Sequence, residues 1–238
     1  MFDEITSIIT QGAKELSITL PPGTEAAFGV YCDFLEAHNK NVNLTATSGA
    51  GEIARIHFLD SLALLSAISL KRARVIDIGS GAGFPGVPLK LAEPSINLTM
   101  LDATGKRISF LTELCARLGV EAVCIKARAE EASHIPDMRE QYDIALSRAV
   151  ARLNILCELC LPFVRVGGTL AAMKGVDCGA EVEEAQHSIV ILGAELCQPF
   201  DYTIPGTDIT HRIVIIRKIS KTPDNYPRRF ARIQKSPL

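Results

Sequence analysis

Twelve consecutive residues, Val75-Ile-Asp-Ile-Gly-Ser-Gly-Ala-Gly-Phe-Pro-Gly86, join an apolar strand to a glycine-rich turn and the start of a helix. In a doubly wound sheet such a turn lies at the carboxyl edge, where ligands bind. Gly79, Gly81 and Gly83 free the backbone from the constraint of a Cβ and let a ligand lie against it. Dinucleotide enzymes space their glycines G-x-G-x-x-G. Here the third glycine comes one position early, and Phe84 follows it. Asp77 stands two residues before Gly79, where a carboxylate would repel a pyrophosphate but suits an ammonium or a ribose. Asp102, 25 positions after Asp77, closes the next apolar run and suits ribose hydroxyls. The unit reads as a site for an adenosine-type cofactor, and the spacing with Asp77 favours S-adenosylmethionine over a nicotinamide.

Other chemistry-bearing residues follow the later strands. Arg128-Ala-Glu-Glu131, with Ala129 and Glu130 at its centre, stands where a polar group meets an adenine edge; a solvated helix start reads equally well. Ser147-Arg148-Ala149 follows the fourth strand, where a substrate faces a transferred group, so Arg148 is read as functional. Lys174-Gly175 after the fifth strand has the same logic. His57 and Asp60 are three apart on a helix and share a face. They could orient a substrate or act as a base, or merely make a surface hydrogen bond. Cys157 and Cys160 have the spacing of a metal or redox pair, but no second pair of ligands accompanies them, so they are read as core. The seven cysteines are read as reduced thiols, and no metal site is expected.

These residues need a scaffold. Apolar positions at a 3.6-residue period predict helices over residues 25–38 and 52–69, separated by a polar loop. From residue 74, short apolar runs at 75–78, 97–101, 122–126, 143–146 and 169–173 alternate with helix-like segments at 85–93, 106–118, 153–161 and 180–192. Runs near 196–204 and 213–219 then follow without a helix, joined through Pro205-Gly-Thr-Asp208. The pattern predicts an α/β fold: a doubly wound, Rossmann-like class I methyltransferase sheet, mostly parallel with an antiparallel edge hairpin. Residues 1–70 would form an N-terminal helical extension packed on the core, 71–220 the catalytic domain and 221–238 a basic tail.

The chain has 238 residues and a net charge of −2, which hides an asymmetry. Residues 217–238 carry seven basic residues against one acid, a net +6, leaving −8 on the rest. A basic tail on an acidic body points to a polyanionic partner. The longest apolar run is too short to cross a bilayer, and the first residues lack the look of a signal peptide, so a cytoplasmic protein without membrane contact is expected. Nothing demands more than a monomer.

The assembled motifs resemble the bacterial 16S ribosomal RNA guanine-N7 methyltransferases, also called glucose-inhibited division protein B. The matching segments are Asn43-Leu-Thr-Ala46, His57-Phe-Leu-Asp-Ser61, the glycine turn with its Phe-Pro-Gly extension, Asp102 with Gly105-Lys-Arg107, Ser147-Arg-Ala149, Lys174-Gly175 and Tyr226-Pro-Arg-Arg229. The resemblance implies methyl transfer from S-adenosylmethionine to a guanine N7 of small-subunit ribosomal RNA. It implies cofactor contacts at Gly79, Phe84, Ala129, Glu130 and Arg148, to which the turn adds Asp77, Gly81 and Asp102. His57, Asp60, Lys174, Arg228 and Arg229 are the candidate substrate contacts. N7 carries a lone pair and no proton, so no general base is required and Arg148 is expected to position. Three rivals stand against this reading: a methyltransferase for a small molecule or protein, a nicotinamide oxidoreductase, and a non-catalytic RNA-binding module.

Overall fold

The structure is a computed structural model and describes residues 2–238. Its N-terminal part is helical: α1 (Phe2–Glu15), α2 (Thr24–Val42), then α3 (Ala50–Ile53), a π-helical turn (Ala54–Leu59), α4 (Asp60–Leu62) and α5 (Leu64–Ala67). The single regular helix expected over 52–69 is therefore interrupted. The amide of Asp60 bonds Arg55 O, five residues back, which widens the turn that carries His57. Such turns concentrate at functional sites.

The remainder alternates as the apolar runs require. In chain order it comprises β1 (Arg74–Ile78), α6 (Gly86–Ala92), β2 (Asn97–Asp102), α7 (Gly105–Leu118), β3 (Ala122–Lys126), α8 (Ala129–Ala132), β4 (Tyr142–Arg148), α9 (Leu153–Cys160) and β5 (Val164–Gly175). After these come α10 (Gly179–Ile191), β6 (Ala194–Leu196), β7 (Phe200–Thr203), β8 (Thr210–Lys218) and α11 (Phe230–Lys235). The sheet order is β3-β2-β1-β4-β5-β8-β6, with β7 also on β8. Strands β1 to β5 run parallel, and β8 is antiparallel to β5, β6 and β7. The expected strand at 196–204 is two short strands that flank one side of β8. Pro199, which has no N–H to give a ladder, lies in the break. Thus β8 is interior, and its short partners form the edge on that side of the sheet, opposite β3.

Alternate residues of each central strand feed two cores. Val75, Ile144, Leu146 and Ala171 join one cluster; Ile76, Ile78, Ala145 and Leu170 join the other. The first cluster also contains Ile5, Phe28, Tyr31, Phe58 and Leu62, so the N-terminal helices complete the covering of one face. The second includes Leu156, Cys157, Cys160 and Ile233, which places the CxxC cysteines in the core and ties the C-terminal segment down. Burying both faces makes the parallel strands uniformly apolar.

Candidate active site

The carboxyl ends of β1, β2 and β3 converge on a cleft of about 210 Å³ whose lining includes Gly79, Asp102, Thr104, Ala129, Glu130 and Val150. A larger cavity, about 660 Å³, opens where β1, β2 and β3 begin, among Arg74, Asn97 and Ala122. It contains no residue of the glycine turn. The smaller cleft lies where a doubly wound sheet binds ligands.

The turn is pinned at several points. Gly79 N–H donates to Leu101 O (2.8 Å), and Gly81 N–H donates to Asp102 Oδ2 (3.1 Å). Tyr31 of α2 donates to Ala82 O (2.5 Å) from above. Gly83 has φ +99°, and a Cβ there would stand 2.6 Å from the Tyr31 hydroxyl, so both conformation and space demand glycine. At Gly79 a Cβ would meet Val150 Cγ2 at 2.6 Å, which keeps this part of the cleft open only for a bare backbone.

Asp102 Oδ1 accepts from Thr104 N–H (2.8 Å), and its other oxygen faces Gly81 and Arg107. A carboxylate offers about four acceptor sites, so hydroxyls can still be held. Asp77 differs from the expectation. It is fully buried beneath the turn, where Oδ2 accepts from Gly86 N–H (2.9 Å) and Oδ1 is left without a partner. Burial pushes its carboxyl up to about 7, against the pull of Gly86 N–H and the charge of Arg148. Asp77 shapes the cradle and does not line it. An adenosyl ligand fits this donor set, with Asp102 for vicinal hydroxyls, Ala129 and Glu130 at an adenine edge and Gly79 for close main-chain approach.

Phe84 and Arg148 do not line this cleft either. The Phe84 ring stacks with Tyr31 (5.4 Å between centroids) and with His57 (4.7 Å), and the Arg148 guanidinium lies 4.9 Å from its centre. Arg148 ends β4, two residues before Val150. Its Nη1 donates to Asp60 Oδ2 (2.8 Å) and Ile56 O (3.3 Å), and its Nη2 donates to His57 Nδ1 (3.1 Å). Arginine only donates, so His57 Nδ1 is an acceptor and the ring is neutral. Its Nε2–H then donates to Thr45 Oγ1 (2.8 Å). Burial and the charge of Arg148 hold the imidazole down at about 4. Asn39 fixes Thr45 in turn, accepting from its N–H (2.9 Å) and donating to its carbonyl (2.7 Å).

His57 and Asp60 do share a face, but each meets Arg148 and not the other, which corrects their reading as a direct pair. Asp60 is buried, and its Oδ1 accepts from Tyr202 Oη (2.7 Å) and His211 Nδ1 (2.7 Å). Burial alone would raise its carboxyl. The hydrogen bond from His211, the charge of Arg148 and the Tyr202 hydroxyl outweigh it and hold the group below the usual carboxylate range.

Two candidate phosphate contacts are occupied internally. Lys174 Nζ donates to Ala151 O (2.6 Å) and Glu181 Oε2 (2.8 Å), bracing the loop that carries Val150. Arg228 forks onto the fully buried Glu158 through Nε (2.8 Å) and Nη2 (2.6 Å). Arg229 is exposed and lines a groove of about 580 Å³ that shares Arg128 and Glu130 with the cofactor cleft. Sequence reasoning missed Tyr31, Val150, Tyr202 and His211, which belong to other elements and carry no motif of their own. Thr45 stands within the Asn43–Ala46 motif, whose sequence alone assigns it no role.

A family model described as rRNA small subunit methyltransferase G matches residues 24–201. The chain belongs to that family. The Ribosomal RNA small subunit methyltransferase G of Alkaliphilus oremlandii is 44% identical over 99% of both chains. The protein of the same name from Pelotomaculum thermopropionicum is 42% identical over 98% of this chain and 99% of its own. Among solved structures, a SAM-dependent methyltransferase from Aquifex aeolicus superposes with a TM-score of 0.51 at 17% identity, covering 68% of this chain and 92% of that one. That likeness concerns the fold alone. The rRNA small subunit methyltransferase G match spans the Arg148 cluster except Tyr202 and His211, and it stops before the C-terminal segment.

Proposed function

We propose that the protein transfers the methyl group of S-adenosylmethionine to N7 of a guanine in 16S ribosomal RNA of the small ribosomal subunit. The observation that carries this reading is the Arg148 cluster. A rigid cation sits at the carboxyl end of β4 beside the cofactor cleft, and among the described residues the titratable side chains bonded to it, His57 and Asp60, are both fully engaged. Both nitrogens of His57 are engaged, and Asp60 accepts from Arg148, Tyr202 and His211. That suits a nucleophile with a lone pair and no proton to lose.

S-adenosylmethionine supplies an electrophilic methyl on a positively charged sulfur. Gly79, Asp102, Ala129 and Glu130 hold the adenosyl part. Arg148, neutralised by Asp60, orients the incoming base and does not set a bare charge against the cation that forms on it. Exposed cations of the C-terminal segment (Arg229, Arg232 and Lys235) take RNA phosphates, a contribution that salt weakens.

The test is methylation in vitro with methyl-labelled S-adenosylmethionine, offered naked 16S rRNA and small subunits. Label on one guanine supports the reading. Calorimetry with S-adenosylhomocysteine and with NAD tests the cofactor, and tight binding of NAD alone would overturn it.

A further inference from the structure

Asp60 reaches Arg148 with one oxygen only. Its other oxygen is held by two residues of the β7–β8 hairpin, more than 140 positions away in the chain. Tyr202 and His211 are direct cross-strand partners, so a single register fixes both donors on the same atom. Their rings stand perpendicular, 6.1 Å apart. Tyr202 and Asp60 are buried, whereas His211 is partly open to solvent.

The geometry matters because a carboxylate turns easily about its last torsion, which has no sharp staggered wells. An Asp60 anchored only by Arg148 could rotate with it. Two further hydrogen bonds on Oδ1 remove that freedom, and Oδ2 then presents one direction to Nη1. His57 fixes Nη2 from the other side. Among the described residues Nε of Arg148 carries no partner and Nη2 uses one of its two N–H groups, so the fixed guanidinium keeps two donors for a ligand.

We propose that Tyr202 and His211 are positioning residues for methyl transfer: they lock Asp60, and through it they lock Arg148 against the target base. This rests on the reading of Arg148 as the residue that orients the base. Neither hairpin residue touches the cofactor cleft, so their loss acts on turnover and not on cofactor affinity.

The experiment measures kcat, KM for rRNA, S-adenosylhomocysteine affinity and thermal midpoint for Tyr202→Phe, His211→Phe, His211→Asn and Arg148→Lys. Tyr202→Phe and His211→Phe are expected to lower kcat about tenfold, with cofactor affinity within about twofold of wild type. His211→Asn, whose amide nitrogen replaces Nδ1–H, restores most of the rate. In the Arg148→Lys background, Tyr202→Phe has little further effect, because the group it positions is gone. Wild-type kcat in both phenylalanine variants, with Arg148→Lys impaired, overturns the proposal. A fully additive double mutant, or cofactor affinity that falls in step with kcat, also overturns it. Wild-type turnover in Arg148→Lys instead overturns the reading of Arg148 itself.

Discussion

His57 Nδ1 lies 3.1 Å from Nη2 of Arg148 and accepts its hydrogen bond, so the imidazole is neutral where it touches the arginine. The contact ties the widened helical turn of the N-terminal part to the end of β4. It also makes the site sensitive to acid, because a protonated ring would place two donors against each other.

The folded pKa of His57, about 4, lies below the ordinary imidazole value of 6.5. A depressed value means that its contribution to stability is present above about 6.5 and is lost as pH falls towards 4. His57→Gln cannot titrate. Thermal midpoints of both proteins between pH 7.5 and 4.5 should show the wild type losing more stability on acidification. Parallel curves would contradict the assignment.

Asp77 has the opposite sign. Its folded pKa of about 7 is raised above 3.8, so its contribution is fully present below about 3.8 and is lost as pH rises through 7. Asn at this position keeps an acceptor for Gly86 N–H and cannot ionise. Denaturant unfolding should therefore favour Asp77→Asn over the wild type increasingly from pH 5 to pH 8. A constant difference would mean that Asp77 does not titrate in this window.

The glycine turn predicts an ordered pair of losses. Gly83→Ala forces a Cβ against Tyr31, Val87 and Leu111 at φ +99°, and should cost about 3 kcal/mol with loss of cofactor binding. Gly81 has φ +56° and nothing nearer than 3.8 Å to a Cβ, so Gly81→Ala should cost only about 1 kcal/mol. Chemical unfolding of the two variants checks the order, and equal losses would contradict it.

Neighbouring arginines separate structure from substrate. Arg228→Met strands the buried Glu158 and should destabilise the fold by about 3–5 kcal/mol. Arg229→Ala should leave the unfolding midpoint in place, weaken rRNA binding and lower its salt slope by about 1. Unfolding curves and rRNA binding across a salt series test both. An unchanged salt slope in Arg229→Ala would remove this residue from the RNA contacts.

Much of the frame was legible in the sequence because the parallel strands are covered on both faces. Continuous apolar runs such as 75–78 and 97–101 follow from that burial, and the glycine turn marks its own place. The β7–β8 hairpin was half legible. Its turn was visible, but alternation cannot tell an edge strand from one that receives partners on both sides, as β8 does. The π turn was invisible, since apolar spacing over one wide turn still resembles a helical period. Charge misled at Lys174 and Arg228, because a basic residue in sequence does not reveal whether an internal carboxylate holds it. The convergence of Tyr202, His211 and Asp60 depends on register and long-range packing, which no local pattern encodes.

The central claim is methylation of one guanine N7 in 16S rRNA, and mapping that rRNA by mass spectrometry tests it most directly. Samples from a strain lacking the gene, from its parent and from a strain complemented with this chain would be compared. The account predicts that a single 7-methylguanine disappears on deletion, returns with the wild-type chain and fails to return with Arg148→Lys. An unchanged methylation map on deletion, or a methyl group restored on another atom, would contradict it.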